Sequence, residues 1–426
     1  MKADSTTLGV RCPLAPSLWL LAATALLWSA ALGACRSPQA AAEPSELSEP
    51  PAAGPAAPPA SGGSAGGSSY AETARAVKVP AQAELPGSER GARAAIDPAE
   101  LERLRAAGER LVFLAGSWSP AQQAEARALA PEVELISGLD RKSALAHAAR
   151  AHGVEAQLLS SEFLAQASRL RWVQALSAGV EHTLAVPGLA DRRELVLTNS
   201  KGVHGPVIAE HVFALLLAHA RRLEGHRRDQ ARGEWNEEEA GHHSLAGSTL
   251  LIAGLGGIGE QVALRAKAFD MRVLATVRTP RERPACVDRL ETGERLDSLL
   301  PEADFLVICL PLTPETEGLF DARRLGLLPR GAFLVNIARG ALVDTEALTE
   351  ALRSGQLSGA GLDVTEPEPL PPGHPLWSLP GVILTPHVAG SAELTFERRW
   401  ALQKENLRRF AHGEALLNVV DPAAGY

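Results

Sequence analysis

Four glycines lie between an apolar run and a helical pattern, and three of them, with the spacing Gly-x-Gly-x-x-Gly, constrain the fold more than any other feature of the chain. Residues 248–253 are predicted to form a buried strand and residues 259–269 a helix. In such a loop one glycine permits a tight turn, one lets the backbone approach a pyrophosphate, and one lets the helix pack on the strand. The N-terminus of the helix attracts phosphate. The pattern therefore predicts a dinucleotide site, formed by Gly254, Gly256, Gly257, Ile258 and Gly259.

Further apolar runs alternate with helical patterns along the chain. Strands are predicted at residues 111–116, 133–137, 170–176, 272–277, 305–310, 332–336 and 382–386. Helices are predicted at residues 120–129, around 144–146, from 207 onward and at 393–412, with a polar stretch at 221–243. Such alternation is typical of parallel sheets. The predicted fold class is α/β with two doubly wound parallel sheets: a Rossmann cofactor domain (201–390) inserted into a flavodoxin-like substrate domain (96–200 and 391–426).

The first 35 residues have the composition of a targeting segment. A weakly basic start precedes an uncharged, Leu- and Ala-rich stretch that ends at Leu32-Gly33-Ala34-Cys35. This resembles the signal of bacterial lipoproteins, in which the new N-terminal cysteine is lipidated; a plain secretory signal or an uncleaved membrane anchor are the alternatives. Residues 36–95 are rich in Pro, Ala, Ser and Gly. Such a segment cannot bury enough apolar surface to fold, so we interpret it as a disordered linker.

The overall composition excludes several classes of protein. At 426 residues the chain can form two ordinary domains, and its net charge of -8 argues against a nucleic-acid partner. Of its four cysteines, two lie in the leader, so no disulfide framework is predicted. His242 and His243 have no further ligand-type residue at metal-binding spacing, and no metal site is predicted.

The second strand of the dinucleotide unit indicates which cofactor is bound. A site for NAD usually places an acidic residue about 20 residues past the glycine loop, where it holds the ribose 2′-hydroxyl. Val277 occupies that place here, and Arg278 follows it. A guanidinium can bind a 2′-phosphate with two parallel hydrogen bonds. The sequence therefore favours NADP(H) over NAD(H), although a solvated basic loop is the alternative.

Seven pieces of sequence, in order, resemble the D-isomer-specific 2-hydroxy-acid dehydrogenases. The resemblance runs from about residue 170 to residue 419, and more loosely back to about residue 98. Besides the glycine loop, the pieces are Leu170-Arg171-Trp172-Val173-Gln174 with Ser177-Ala178-Gly179-Val180; Ile208-Ala209-Glu210-His211; Leu310-Pro311-Leu312-Thr313-Pro314-Glu315-Thr316; Asn336-Ile337-Ala338-Arg339-Gly340; Gly361-Leu362-Asp363-Val364 with Glu368-Pro369-Leu370; and Thr385-Pro386-His387.

The resemblance implies that Arg339, Glu368 and His387 are the catalytic residues, and their chemistry agrees. Reduction of a 2-keto acid needs a cation for the substrate carboxylate and a proton donor for the carbonyl oxygen. Arg339 can hold the carboxylate with its forked guanidinium. His387 can exchange a proton near neutral pH, and Glu368 can pair with the imidazole and orient it. Each residue alone could also be a surface charge or a structural histidine.

The resemblance implies further, less specific assignments. Ala178 and Gly179 would offer backbone N–H groups to the substrate carboxylate. Asp363 would hold the nicotinamide carboxamide, or merely cap a turn. His204 and Trp118 could line the substrate pocket. The remaining cofactor contacts would be Pro311, Thr316, Ile337, Ala338 and Gly390.

The predicted function is therefore hydride transfer between NAD(P)(H) and a D-2-hydroxy acid, with a small 2-keto or 2-hydroxy acid as substrate. The alternative is a non-catalytic protein that senses dinucleotide on the same fold. Family analogy suggests a homodimer. The leader suggests attachment to a membrane through Cys35, on the exported side of a bacterial envelope, or a cytoplasmic location if the true start lies further along the chain.

Overall fold

A computed structural model describes residues 92–237 and 241–421 of the chain. The predicted leader, Cys35 and nearly all of the predicted linker lie outside these residues. Ala94, near the end of the predicted linker, pairs with Ala415, and Ala95 is buried. Within the described residues, no helix is both long enough and apolar enough to cross a bilayer.

The first sheet has five parallel strands in the order β2-β1-β3-β4-β5. This is the order of flavodoxin-like sheets. Alternate residues of β1 contribute to apolar clusters on opposite faces, as expected for a strand covered on both sides. The strands are β1 (Leu111–Leu114), β2 (Val133–Ile136), β3 (Gly153–Glu155), β4 (Trp172–Gln174) and β5 (Val196–Thr198).

Helices flank this sheet, and the last helix of the described chain returns to it. Phe410 and Leu416 pack against the same apolar cluster as Phe113 and Trp172. Thr198 also bridges to Val419. The helices are α1 (Pro98–Ala106), α2 (Pro120–Leu129), α3 (Arg141–Leu145), α4 (Ser161–Gln166), α5 (Glu181–Leu184) and α12 (Glu393–His412).

The second sheet has seven parallel strands in the order β12-β11-β10-β9-β6-β7-β8. The order reverses between β6 and β9, which makes their carboxyl ends the switch point where ligands bind. The strands are β6 (Thr249–Ala253), β7 (Arg272–Val277), β8 (Arg289–Thr292), β9 (Phe305–Ile308), β10 (Ala332–Asn336), β11 (Leu357–Leu362) and β12 (Val382–Leu384). The helices are α6 (Gly205–Ala220), α7 (Leu223–Arg232), α8 (Gly257–Ala268), α9 (Leu296–Leu299), α10 (Ala322–Leu327) and α11 (Thr345–Arg353).

The prediction of two parallel α/β sheets is confirmed, and the differences have physical causes. Helix α7 lies in the stretch interpreted as merely polar. It buries no residue, and ion pairs such as Arg228–Glu224 stabilise it, so it has no apolar periodicity to detect. Strand β11 was missed because of its glycines. A Cβ at Gly359 would come 2.3 Å from the Gly381 carbonyl oxygen, and one at Gly361 would come 3.0 Å from Leu215.

Candidate active site

The glycine loop connects β6 to α8, and two of its glycines are required by close packing. Gly254 has φ +97°, and a Cβ there would lie 2.9 Å from the carbonyl oxygen of Cys309. A Cβ at Gly259 would lie 2.5 Å from the carbonyl oxygen of Gly254. The Gly254 N–H donates to Thr276 Oγ1 at 3.1 Å, and Leu255 N–H donates to the Thr276 carbonyl at 2.7 Å. The loop is therefore held tightly against β7.

Another glycine of the loop, Gly256, borders open space. A Cβ at Gly256 would meet no described protein atom within 4 Å. Helix α8 begins one residue later, and no side chain caps its N-terminus. The first N–H groups of a helix have no acceptor within the helix, and they lie at its positive end. A pyrophosphate fits this arrangement, because it needs both the space at Gly256 and the N–H groups of Gly257 and Ile258.

The end of β7 carries the arginines that could meet a 2′-phosphate. Arg281 donates to the Leu255 carbonyl and to Glu260, each at 2.7 Å, so it braces the glycine loop. Arg283 donates to the Val287 carbonyl. Arg278 is exposed directly after Val277. The pKa of Glu315 is lowered by its hydrogen bond with Thr313 and, more weakly, by the charge of Arg278, which places Arg278 near the loop after β9.

Arg339 follows β10 in a turn that Asn336 stabilises. The Asn336 side chain accepts from the Ala338 N–H at 3.1 Å and donates to the Arg339 carbonyl at 2.8 Å. Arg339 Nη1 donates to the Ala338 carbonyl at 2.7 Å, and Nη2 donates to Glu181 Oε2 at 3.3 Å. Charge-assisted hydrogen bonds are usually 2.7–2.9 Å long, so the pair with Glu181 is loose. Glu181 was not identified from the sequence, because 158 residues separate it from Arg339.

The turn after β4 approaches this guanidinium. A Cβ at Gly179 would come 2.0 Å from Arg339 Nη2, so a side chain at this position would displace the guanidinium. The N–H groups of Ala178 and Gly179 donate to no other residue in the described part of the chain. Two free N–H groups beside a guanidinium form an arrangement that suits a carboxylate.

His387 follows β12 and pairs with Glu368. Its Nδ1 lies 2.8 Å from Glu368 Oε1, and the two side chains are 50% and 42% exposed. Because Nδ1 faces the carboxylate, Nε2 is left for a substrate. His387 has φ +55°, an uncommon conformation for a residue with a side chain. Its backbone N–H donates to the Asp363 carbonyl at 2.8 Å, which anchors the turn to the end of β11.

Asp363 is buried and its carboxylate also stabilises the turn that carries His387. It accepts hydrogen bonds from the Thr385 hydroxyl at 2.6 Å and from the N–H groups of Val388 and Ala389, each at 2.9 Å. His211 Nε2 lies 3.0 Å from the Thr385 hydroxyl. These contacts correspond to the turn-capping alternative, and the role of His211 and Thr385 was not identified from the sequence.

The remaining predicted residues lie at the ends of neighbouring strands. Thr316 accepts from the Thr313 N–H at 2.8 Å and donates to the Pro311 carbonyl at 2.7 Å, so it closes the loop after β9. Ile337 is buried and Ala338 partly so, in the turn before Arg339. A Cβ at Gly390 would come 3.1 Å from the ring of His204, so Gly390 lies against that histidine. No contact to a cofactor is assigned by these positions alone.

Comparison with known proteins identifies the family of the chain. The model of the family "D-isomer specific 2-hydroxyacid dehydrogenase, NAD binding domain" matches residues 213–389. A glyoxylate reductase from Aeropyrum pernix is 39% identical over 270 residues, which are 62% of this chain and 80% of that protein. The chain belongs to the D-isomer specific 2-hydroxyacid dehydrogenase family. The prediction of this family is confirmed, and the protein is an NAD(P)-dependent oxidoreductase that interconverts 2-hydroxy and 2-keto acids.

Solved structures of relatives have the same fold. A family member from Aeromonas salmonicida is 34% identical, with a TM-score of 0.66, over 74% of this chain and 99% of that one. An NADPH-dependent glyoxylate/hydroxypyruvate reductase from Sinorhizobium meliloti, in complex with NADP and sulfate, is 30% identical, with a TM-score of 0.64, over 75% of this chain and all of that one. Among residues 92–237 and 241–421, no three metal-ligating side chains converge.

Proposed function

We propose that the enzyme reduces a short 2-keto acid of the glyoxylate and hydroxypyruvate type to the D-2-hydroxy acid. The observation that carries the proposal is the contact between Gly179 and Arg339, where two unpaired N–H groups adjoin a guanidinium. The names of the relatives from Aeropyrum pernix and Sinorhizobium meliloti support substrates of this size.

The substrate carboxylate is held by Arg339 and by the N–H groups of Ala178 and Gly179. The loose hydrogen bond from Nη2 to Glu181 orients the guanidinium beforehand, and a substrate carboxylate can replace it. Both side chains of this ion pair are about one-third exposed, and such solvent-accessible pairs contribute little stability, so the exchange costs little. Arg339 also polarises the neighbouring carbonyl group.

His387 supplies the proton and Glu368 positions it. A dinucleotide held by its pyrophosphate at the glycine loop would supply, through its nicotinamide, the hydride for the carbonyl carbon. As the carbonyl π electrons move onto the oxygen, His387 Nε2 donates its proton there, and the product is an alcohol. Glu368 accepts the hydrogen bond of Nδ1 and stabilises the protonated ring. In the reverse direction the neutral ring takes the proton back.

The test is a rate measurement on the full chain. With hydroxypyruvate and NADPH, we expect loss of absorbance at the nicotinamide band and formation of D-glycerate, identified by chiral chromatography. The His387→Asn variant, with cofactor binding measured by fluorescence, is the matched control. If the wild-type protein binds cofactor but reduces no 2-keto acid, the proposal is wrong.

We also propose that NADP(H) is preferred over NAD(H), with Arg278 binding the 2′-phosphate. The support is the missing carboxylate at Val277 and the exposed guanidinium that follows it. Arg278→Gln should raise the KM for NADPH about tenfold and leave that for NADH nearly unchanged. Arg283→Gln removes the same charge five residues away and should affect neither. Equal effects of the two variants on both cofactors would contradict the preference.

Three further predictions await measurement. The domain boundaries remain predictions, as does a homodimer. Leu223 and Trp235, which are 52% and 90% exposed, are apolar side chains that a second copy could cover. Sedimentation equilibrium of the wild-type protein and of Trp235→Ala tests this dimer. Membrane attachment through Cys35 is tested by the mass of the N-terminal peptide from the membrane fraction.

A further inference from the structure

The first two turns of α12 bring two arginines near the turn that carries His387. Arg398 has backbone partners: it donates to the carbonyls of Val203 and Gly202 at 3.2 and 3.1 Å. These contacts fix the segment that leads into His204, which itself lies against Gly390, three residues past His387. The charge of the next residue, Arg399, acts on the His204 ring, so Arg399 lies near this histidine.

Arg399 carries a charge that the protein does not neutralise. Among the described residues it has no hydrogen bond and no ion pair, and its one direct contact is with the ring of Phe396, whose centroid lies 5.0 Å from Cζ. The guanidinium is partly buried, and this burial lowers the pKa of Arg399. Removing a cation from water without a partner is costly, so such groups are rare unless a ligand neutralises them.

The nearest titratable groups do not supply the missing partner. Glu155 is within electrostatic range, but its carboxylate already accepts from the Gly116 N–H, the Trp118 indole and two amide side chains. The pKa of His204 is lowered to about 4 by burial and then by the charge of Arg399, so this ring is neutral at physiological pH. Its Nδ1 is buried without a hydrogen-bond partner. Arg399 therefore remains the unmatched cation among these groups.

Aromatic side chains flank Arg399 along the chain. Trp118 forms an edge contact with Trp400, the neighbour of Arg399, at 5.0 Å between ring centroids. Phe396 is 56% exposed although it is a large apolar side chain. An exposed apolar side chain beside a partly buried cation is an arrangement typical of binding sites.

We propose that Arg399 is a specificity-determining residue that binds a second anionic group, a carboxylate or a phosphate, on the far end of the 2-keto acid. Arg339 would hold the carboxylate next to the reacting carbonyl, and Arg399 the distal anion. The proposal rests on the proposed function, since it concerns the same site, and it makes anionic 2-keto acids better substrates than their neutral analogues.

Two matched pairs of substrates test the proposal and separate the two kinds of anion. Oxaloacetate differs from pyruvate by a carboxylate, and 3-phosphohydroxypyruvate differs from hydroxypyruvate by a phosphate. For wild-type enzyme we expect kcat/KM of the anionic member of at least one pair to exceed that of the neutral member by about tenfold. Arg399→Gln should remove this preference through KM, while kcat/KM for pyruvate and hydroxypyruvate changes less than about threefold. Arg399→Lys should restore part of it.

Lys404→Gln is the control, because it removes one positive charge from the exposed side of the same helix. This variant should leave the ratio of kcat/KM between the anionic and the neutral substrate unchanged in both pairs. The inference would be overturned, with the proposed function intact, by either of two results. One is equal kcat/KM for the anionic and neutral members of both pairs in wild-type enzyme. The other is an equal loss of kcat/KM on neutral and anionic substrates in Arg399→Gln. If wild-type enzyme with bound cofactor reduces none of the four compounds, the proposed function itself fails. The comparison within wild-type enzyme holds even if the variant does not fold.

Discussion

The carboxyl edges of the two sheets are built in opposite ways. At the edge of the five-stranded sheet, Glu155 is 1% exposed and accepts four hydrogen bonds from backbone and side-chain donors. At the edge of the seven-stranded sheet, His387 and Glu368 are about half exposed and bond mainly to each other. Around Glu155 the first edge is closed by buried polar contacts, whereas at the His387–Glu368 pair the second edge is open to solvent.

This difference separates residues that stabilise the fold from residues that are proposed to react with a substrate. Reactive groups must reach a substrate, so their side chains cannot be used up by internal hydrogen bonds. Their position is fixed instead through the backbone, as in the turn at His387 that Asp363 anchors. A buried polar network is rigid and specific only if each member is satisfied, and Glu155 fulfils this at the other edge.

The largest expected effect comes from removing the proposed proton donor, His387, at the open edge. His387→Asn should lower kcat about a thousandfold, since general acid catalysis contributes factors of this order. Asparagine tolerates the positive φ of this position, so the unfolding temperature should not change. Steady-state rates and thermal unfolding of the same preparation measure both. Loss of folding together with activity would contradict the separation of the two edges.

The next effect is expected at the closed edge. Glu155→Gln places an N–H against groups that already donate, which should lower the free energy of unfolding by about 3 kcal/mol. Because the amide keeps only one of the two oxygen acceptors, the turn at Gly116 and Trp118 is held less firmly, and the KM for the keto acid should rise while kcat changes little. Urea denaturation and kinetics measure the two effects. Glu162→Gln, which changes an exposed side chain on α4, is the control and should stay within about 0.5 kcal/mol of wild type.

Low pH should lower the free energy of unfolding through one buried histidine near each of the two sheets. The pKa of His152, beside β1, is lowered to about 4 by burial and by Arg169, and that of His219, on α6, to about 4 by burial and by His243. The unfolded chain binds a proton below about pH 6.5, whereas the folded chain does so only near pH 4. The contribution of each buried, neutral histidine to stability is therefore complete above about pH 6.5, and it is lost as the pH falls towards 4.

This loss should amount to about 2 kcal/mol for each histidine at pH 5. Urea denaturation at pH 7 and pH 5 measures it. In His152→Gln or His219→Gln the difference between the two pH values should shrink by that amount, whatever the variant costs at pH 7. An unchanged difference in one variant would show that burial acts differently in the two halves.

The smallest effect is expected at the glycine loop. Gly256→Ala places a methyl group in the space left for the pyrophosphate, in a backbone conformation that alanine can adopt. The Kd for cofactor should rise about tenfold, or about 1.4 kcal/mol, without loss of stability. Fluorescence titration measures it. Gly225→Ala, on α7 with open space around it, should leave the Kd unchanged. A large loss of stability in Gly256→Ala would mean that this glycine serves packing instead.

Much of the fold could be predicted because it depends on local patterns. Strands at Thr249–Ala253, Arg272–Val277 and Ala332–Asn336 form where the apolar runs predicted them. Edge strand β8 was missed, since its four residues are all half-buried and give no apolar run. Strand β11 was missed because its glycines, which look like a loop in sequence, are required by close packing against neighbouring backbone and helix α6.

The sequence by itself determined the glycine loop, the alternation of strands and helices, and the order of motifs in which Arg339, Glu368 and His387 occur. Such features depend on residue type and spacing within a few residues, which determine local conformation. Only the tertiary structure decided that Glu181 pairs with Arg339, that Glu155 joins distant segments, and that Arg399 has no counter-ion among the described residues. These relations depend on which remote segments the packing brings together, and no local pattern records that.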